Sequence, residues 1–173
     1  MKPSVAMLYD EFIETIREIY YLGSVAGLLG WDQQTMMPPG AAPLRAAQSS
    51  LLAGMLHDRL THPRLSELLD CLEGGDAGLD EDGRANVRET RRIVDRACKI
   101  PRGLAREIAE TQALSQQEWV AARAASDFAR FAPWLEKMLS LRRHEADAVG
   151  YSESRYDALL DEYEPAMTAS QVA

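Results

Sequence analysis

Three histidines, His57, His62 and His144, are the only imidazoles from which metal or acid–base chemistry could be built. His144-Glu145-Ala146-Asp147-Ala148 begins like the zinc-peptidase motif HExxH. In that motif two histidines four residues apart share a helix face and hold the metal, while the glutamate activates water. Position 148 is alanine, and a single imidazole does not hold zinc, so this stretch reads as a solvated helix face. His57 and His62 fall near the end of the second helical segment, where an imidazole favours the C-terminal dipole, and they read as capping or surface groups. A carboxylate-bridged di-metal bundle needs Glu-x-x-His pairs. None of the three histidines has a glutamate three residues before it. The sequence has no glycine-rich phosphate loop and no GxSxG. Cys71 and Cys98 lack CxxC spacing and read as reduced, half-buried thiols.

The remaining polar clusters have structural readings. Arg84, Arg88, Arg91, Arg92 and Arg96 interleave with Glu89 and Asp95 and predict a salt-bridged, solvated helix face, with an anion site as the alternative. Asp161-Glu162-Tyr163-Glu164 reads as a hydrated helix end, with a contact to a cation or a peptide amine as the alternative. Trp31, Trp119 and Trp134 read as core residues.

The elements that would position these residues are helical throughout. The chain has 173 residues, enough for one domain with a core, and its hydrophobic fraction of 46% is ordinary. A net charge of −8 disfavours nucleic acid and anionic membranes as partners. No run of 18 apolar residues predicts a membrane span, and the N-terminal stretch is not a signal-peptide core. Val5, Leu8, Phe12, Ile16 and Ile19 recur at helical spacing, giving a first helix over 4–29 with Ser4 as N-cap. Gly23, Gly27 and Gly30 weaken its later part, and close packing against another backbone is the expected compensation. Further helices are expected over 41–60, 64–72, 81–99, 102–125, 127–149 and 153–162. The acid- and glycine-rich stretch 73–83 is expected to be a flexible linker within a single helical domain, 1–173. No period-two alternation marks a strand, so the fold class is all-α, an antiparallel array of about seven helices. Thr168 and Gln171 have capping-box spacing, which announces a helix that the remaining residues cannot complete.

The chain is organised around Trp31-Asp32-Gln33-Gln34-Thr35-Met36-Met37-Pro38-Pro39-Gly40. Two prolines and a glycine cannot continue a helix, so this stretch is expected to be a loop and tight connection wedged against the core. With Arg45 and Gln48 it resembles a run in the zinc metallocarboxypeptidases of the thermostable carboxypeptidase Taq type. Two further stretches are similar to segments of that family. One is Ala125-Ser126-Asp127-Phe128-Ala129-Arg130-Phe131-Ala132-Pro133, similar to the family's NDFxxFAP segment. The other runs from Gly150-Tyr151 through Tyr156-Asp157-Ala158-Leu159-Leu160-Asp161-Glu162-Tyr163-Glu164-Pro165-Ala166-Met167-Thr168, where the family has glycine at 166. Gln34, Pro43 and Ala166 depart from the pattern and read as ordinary variation.

The resemblance implies a fold like the N-terminal part of the mostly helical carboxypeptidase Taq and neurolysin-like metallopeptidases. It also implies a cytoplasmic, homodimeric enzyme that removes C-terminal residues from peptides with zinc. The family's zinc-binding HExxH lies downstream of the segment matched here, so this chain is expected to carry no cofactor and no catalytic residue of its own. Its expected partners are a second copy and the remainder of the metallopeptidase chain, with peptides bound only in the full-length context. Trp31, Asp32, Gln33, Thr35, Met37, Pro38, Pro39, Gly40, Arg45, Gln48, Tyr156, Asp157, Asp161, Tyr163, Glu164 and Pro165 are the motif positions, expected to be structural. The leading reading is a wall or lid of the substrate channel, inactive alone. The alternative is a freestanding, non-catalytic interaction module derived from the same family.

Overall fold

A computed structural model describes residues 3–74 and 78–172. Residues 75–77, part of the expected linker, lie outside the described residues. The elements in chain order are α1 (Val5–Thr35), a 3-10 turn (Pro39–Ala41), α2 (Ala42–Leu60), α3 (Pro63–Leu72), α4 (Glu81–Lys99), α5 (Arg102–Ala125), α6 (Phe128–Val149), α7 (Arg155–Leu160) and α8 (Ala169–Val172). The all-α expectation holds, with eight α-helices among the described residues.

Side chains start most of these helices. Ser4 accepts from the Met7 amide at 3.3 Å, Asp80 from Gly83 at 2.8 Å and Asp127 from Arg130 at 3.2 Å. Each satisfies an amide that the first turn leaves without a partner. His62 does the same for α3, accepting from the Arg64 amide through Nδ1, and Pro63 fills the first helical position. His57 lies near the end of α2, and its Nε2 is 2.6 Å from the Ile100 carbonyl. Both histidines thus serve helix ends.

The best-formed core gathers Phe12 of α1, Leu65, Leu68, Leu69 and Leu72 of α3, and Val87 and Val94 of α4, all buried. Val5, Leu8, Ile16 and Ile19 pack around them. The second packing region is narrower. α2 lies along α5, and α5 along α6. Ala46, Ser50 and Gly54 are the buried side of α2. A Cβ at Gly54 would come within 3.0 Å of Arg106 Cδ and 3.1 Å of Arg102 Nη2, so this glycine sets the approach of α5.

Several local expectations are overturned. α1 does not stop at 29 but runs to Thr35, so Trp-Asp-Gln-Gln-Thr is helix rather than loop. The break comes where Met37 precedes Pro38 and the αR conformation is disfavoured. Gly23, Gly27 and Gly30 do not pack against another backbone: a Cβ at any of them would meet no atom within 4 Å. Trp31 is not wedged into the core but 59% exposed, and Leu28 is 62% exposed. Trp119 is also exposed, and Trp134 is half-buried. Cys71 and Cys98 are free and exposed rather than half-buried. The inner side of α6 is set by Leu141, Glu145 and Ala146, while Leu135 is exposed.

Candidate functional site

The motif positions form two clamps. The first closes the α1–α2 connection. Asp32, one turn before the end of α1, accepts from Arg45 Nη2 at 2.6 Å. The same guanidinium donates to the Leu29 carbonyl and, through Nε, to Gln48 Oε1 at 3.2 Å. Arg45 is 8% exposed, so a planar fork of donors is spent inside the hairpin on one carboxylate, one amide and one helix carbonyl. The Asp32 carbonyl accepts from both Met36 and Met37 at 2.9 Å, which finishes the helix. Thr35 Oγ1 donates to the Trp31 carbonyl at 2.8 Å. Pro38 is extended and its carbonyl takes the Ala41 amide at 2.9 Å, while Pro39 and Gly40 open the 3-10 turn. Pro43 fits the first turn of α2, where no amide donor is needed. Gln33 reaches the other way: its Nε2 donates to the Ala113 carbonyl of α5 at 2.6 Å.

The second clamp holds α7 and α8. Ser154 caps α7, and Asp157 returns the bond to the Ser154 amide at 2.9 Å. The other Asp157 oxygen accepts from the Ala169 amide at 2.8 Å, at the start of α8. These backbone amides hold the carboxyl below the usual aspartate range, the Ala169 amide most strongly. Asp161 Oδ1 accepts from the Ala166 amide at 2.9 Å and fixes the intervening turn. Thr168 and Gln171 meet as their spacing predicts, with the Thr168 amide donating to Gln171 Oε1 at 2.9 Å.

Behind α7 lies a cluster that sequence reasoning misread. Glu145 was expected on a solvated face but is 4% exposed. It accepts from Arg96 Nη2 at 3.0 Å and from Arg142 Nη1 at 2.6 Å. Arg96 also donates to the Ala158 carbonyl at 2.7 Å, and Arg92 to the Asp161 carbonyl at 3.1 Å. The helix-4 arginines are therefore only in part a solvated face. Arg88 pairs locally with Glu89, Arg91 crosses to Asp70 and Glu73 of the α3 end, and Arg92 and Arg96 bind α7. Asp161 and Glu162 are accordingly paired with arginines and not simply hydrated. The i, i+4 spacing of Arg92 and Arg96 and the i, i+3 spacing of Arg142 and Glu145 were the available signals.

The other motif positions are not used inside the chain in this way. Trp31, Tyr156 and Tyr163 are 59%, 60% and 79% exposed, and Glu164 and Pro165 are exposed beside them. Met37 is half-buried. Between α1, α2 and α5 lies an open cleft of about 260 Å³, with Gln33, Gln34, Gln112 and Gln116 on its walls. It is uncharged and rich in amides, each able to donate and accept.

Zinc does not fit these residues. His57 and His62 are committed to helix ends, and His144 stands alone on α6. Among the described residues no three His, Cys, Asp or Glu side chains are grouped to hold a metal ion.

The family model described as carboxypeptidase Taq (M32) metallopeptidase matches residues 11–173. The chain belongs to the carboxypeptidase Taq family. Thermostable carboxypeptidase 1 of Thermus thermophilus is 38% identical over 184 residues, an alignment covering 99% of this chain and 36% of that protein. The solved structure of BsuCP superposes with a TM-score of 0.91 at 28% identity, covering 96% of this chain and 33% of the other. The Pyrococcus furiosus carboxypeptidase structure gives a TM-score of 0.76 at 33% identity, covering 95% of this chain and 33% of the other. The chain thus spans about a third of the length of these carboxypeptidase Taq relatives.

Proposed function

We propose that this chain is the non-catalytic N-terminal third of a zinc-dependent metallocarboxypeptidase. It forms a wall of the channel through which a peptide reaches zinc-binding residues supplied by the rest of such an enzyme. The observation that carries this reading is the match of residues 11–173 to the family at about a third of the relatives' length. The donor set supports it from the other side. Zinc hydrolysis needs protein ligands, an open position for water and a base beside that water, and these histidines are dispersed and committed elsewhere. The amide-lined cleft is the surface of this chain suited to a peptide, because uncharged donors and acceptors match an extended backbone without fixing its sequence. The reading also includes a cytoplasmic setting, in keeping with two cysteines that are exposed and unpaired.

The experiment has two arms. In the first, the purified chain is incubated with zinc and a peptide bearing a free C-terminus. No release of the C-terminal residue is expected. Release that a chelator and His144→Ala both abolish overturns the inactivity. In the second, the chain replaces the matching third of the Thermus thermophilus relative. A folded chimera that cleaves peptides, and whose KM rises when Gln33 and Gln112 are changed to alanine, supports the channel-wall role. A folded, active chimera whose KM is indifferent to both changes removes it.

A further inference from the structure

The corner between α5 and α6 holds an open cavity of about 440 Å³. That volume lies at the lower end of the range for small-molecule sites, roughly 300–1,000 Å³. Trp119, Phe128 and Phe131 give the cavity aromatic walls. Two charged side chains line it with them: Arg123, in the last turn of α5, and Asp127, the N-cap of α6. The corner brings these two together. Ser126 is left-handed, and the Asp127 amide donates to the Ala122 carbonyl at 2.8 Å, which turns the chain back on itself. The Cζ of Arg123 is 5.3 Å from the centre of the Trp119 ring. Stacking uses a face of the guanidinium and leaves its in-plane N–H donors for a ligand. Among the described residues no carboxylate pairs with Arg123, whereas the neighbouring Arg130 is spent on Glu118 at 2.8 Å. Asp127 Oδ1 accepts from the Arg130 amide at 3.2 Å, and its other oxygen takes no hydrogen bond from the described residues.

We infer that this cavity binds a free amino acid with a large apolar side chain, such as L-phenylalanine. Its carboxylate takes the fork of Arg123, a planar and bidentate match. Its ammonium takes the second oxygen of Asp127. Its side chain lies among Trp119, Phe128 and Phe131, where an aromatic ring finds aromatic partners. Charge selects a zwitterion over the simpler ligands. The chain carries a net charge of −8, which repels anions over most of its surface. A carboxylate alone would pair with Arg123 but leave a second negative charge beside Asp127. An apolar molecule alone would leave both groups without a partner. The cavity shares no lining residue with the amide-lined cleft between α1, α2 and α5, so the two can be occupied together. Such an amino acid is what a carboxypeptidase releases. That link rests on the function proposed above, whereas the binding rests on the cavity alone.

The test titrates L-phenylalanine into the isotope-labelled 173-residue chain and follows its amide and indole resonances by NMR. Saturable shifts are expected at Trp119, Ser126 and Phe128, with a dissociation constant of roughly 0.1–1 mM for a ligand of this size. N-acetyl-L-phenylalanine presents its carboxylate as the end of a peptide does and has no ammonium. It binds more weakly by about fivefold or more. L-Alanine has both charges but little to place between the aromatic walls, and binds more weakly by about tenfold or more. Arg123→Gln and Asp127→Asn each lower the affinity for L-phenylalanine by about fivefold or more. Both side chains are exposed and asparagine still caps α6, so the resonances of the other helices stay in place. Lys137→Gln, which removes a cation of α6 outside the cavity, leaves the affinity unchanged. A chain without saturable shifts up to about 10 mM ligand overturns the inference. So does equal affinity for the acetylated compound, which would make the cavity a site for peptide ends. An affinity indifferent to both cavity substitutions, or lowered as much by Lys137→Gln, overturns it too. No cleavage is read in any of these measurements, so their failure leaves the channel-wall reading where it stands.

Discussion

Arg45 Nη2 stands 2.6 Å from Asp32 Oδ2, across the turn between the two helices that each residue belongs to. The arginine is buried and the aspartate half-exposed, so most of the desolvation cost falls on the guanidinium. Gln48 and the Leu29 carbonyl offset that cost by taking its remaining donors. Arg45→Ala leaves the Asp32 carboxylate without its arginine partner and removes the second donor to the Leu29 carbonyl, and is expected to destabilise the chain by about 2–3 kcal/mol. Arg45→Lys keeps the charge but not the fork, and should recover less than half of that. Urea unfolding of the three proteins checks both values, and equal midpoints would mean that the clamp contributes nothing.

Ala166 has φ +65° and Ser126 has φ +53°, the two non-glycine residues with positive φ among the described residues. At both positions the sequence departs from the family pattern, which has glycine and asparagine there. Those residue types occupy the left-handed region at low cost. Ala166 is therefore not ordinary variation but a strained substitution. Ala166→Gly is expected to stabilise by about 1 kcal/mol, and Ser126→Asn by a few tenths. Thermal melts measure this directly. A lower melting temperature for Ala166→Gly would show that the turn around Asp161 does not hold residue 166 left-handed.

Much of the fold was legible in the sequence because its signals are local. Ser4, Asp127 and the Thr168–Gln171 spacing mark helix starts through bonds made within three residues, and Pro63 marks one by its fixed backbone angle. The packing was less legible because it depends on which helix faces which. The glycines of α1 suggested a close approach, yet the crowded glycines are Gly54 on α2 and Gly83 on α4. The site was legible as a motif but not as a mechanism. Asp32, Arg45 and Asp157 could be singled out by resemblance, whereas their partners, the Leu29 carbonyl and the Ala169 amide, are backbone atoms that no sequence pattern names. Glu145 was misread because its burial is imposed by Arg96, 49 residues earlier.

Asp157 ties acid stability to the two last helices. Its folded pKa is depressed by amide donors, so the unfolded chain binds the proton more readily. The stabilisation is full above the unfolded value of about 4 and is lost as pH falls through the folded value below it. Asp157→Asn should therefore lower the melting temperature clearly at neutral pH, with the gap to wild type closing as pH drops from roughly 5 to 3. A gap that stays constant over that range would assign the loss to shape and not to charge.

Glu145 offers the sharpest separation between a structural and a surface role. It lies on α6 between Arg96 and Arg142, and Arg96 in turn holds the Ala158 carbonyl of α7. Glu145→Ala removes the only acidic partner of Arg142 among the described residues and one of two for Arg96, whose side chain is 12% exposed. Stranding a buried charge costs about 3 kcal/mol, whereas a substitution on a solvated face stays within about 0.5 kcal/mol. The damage should also be local in its first expression. With Arg96 held only by Glu162 and the Ala158 carbonyl, one of the two arginine ties between α4 and α7 loosens, and Arg92 at the Asp161 carbonyl remains. Hydrogen exchange should accelerate at the Asp157 and Asp161 amides before it changes at Leu68 or Val94 in the main core. Uniform acceleration across both regions would mean that Glu145 supports the fold as a whole, and unchanged exchange at α7 would mean that Arg96 holds it without help.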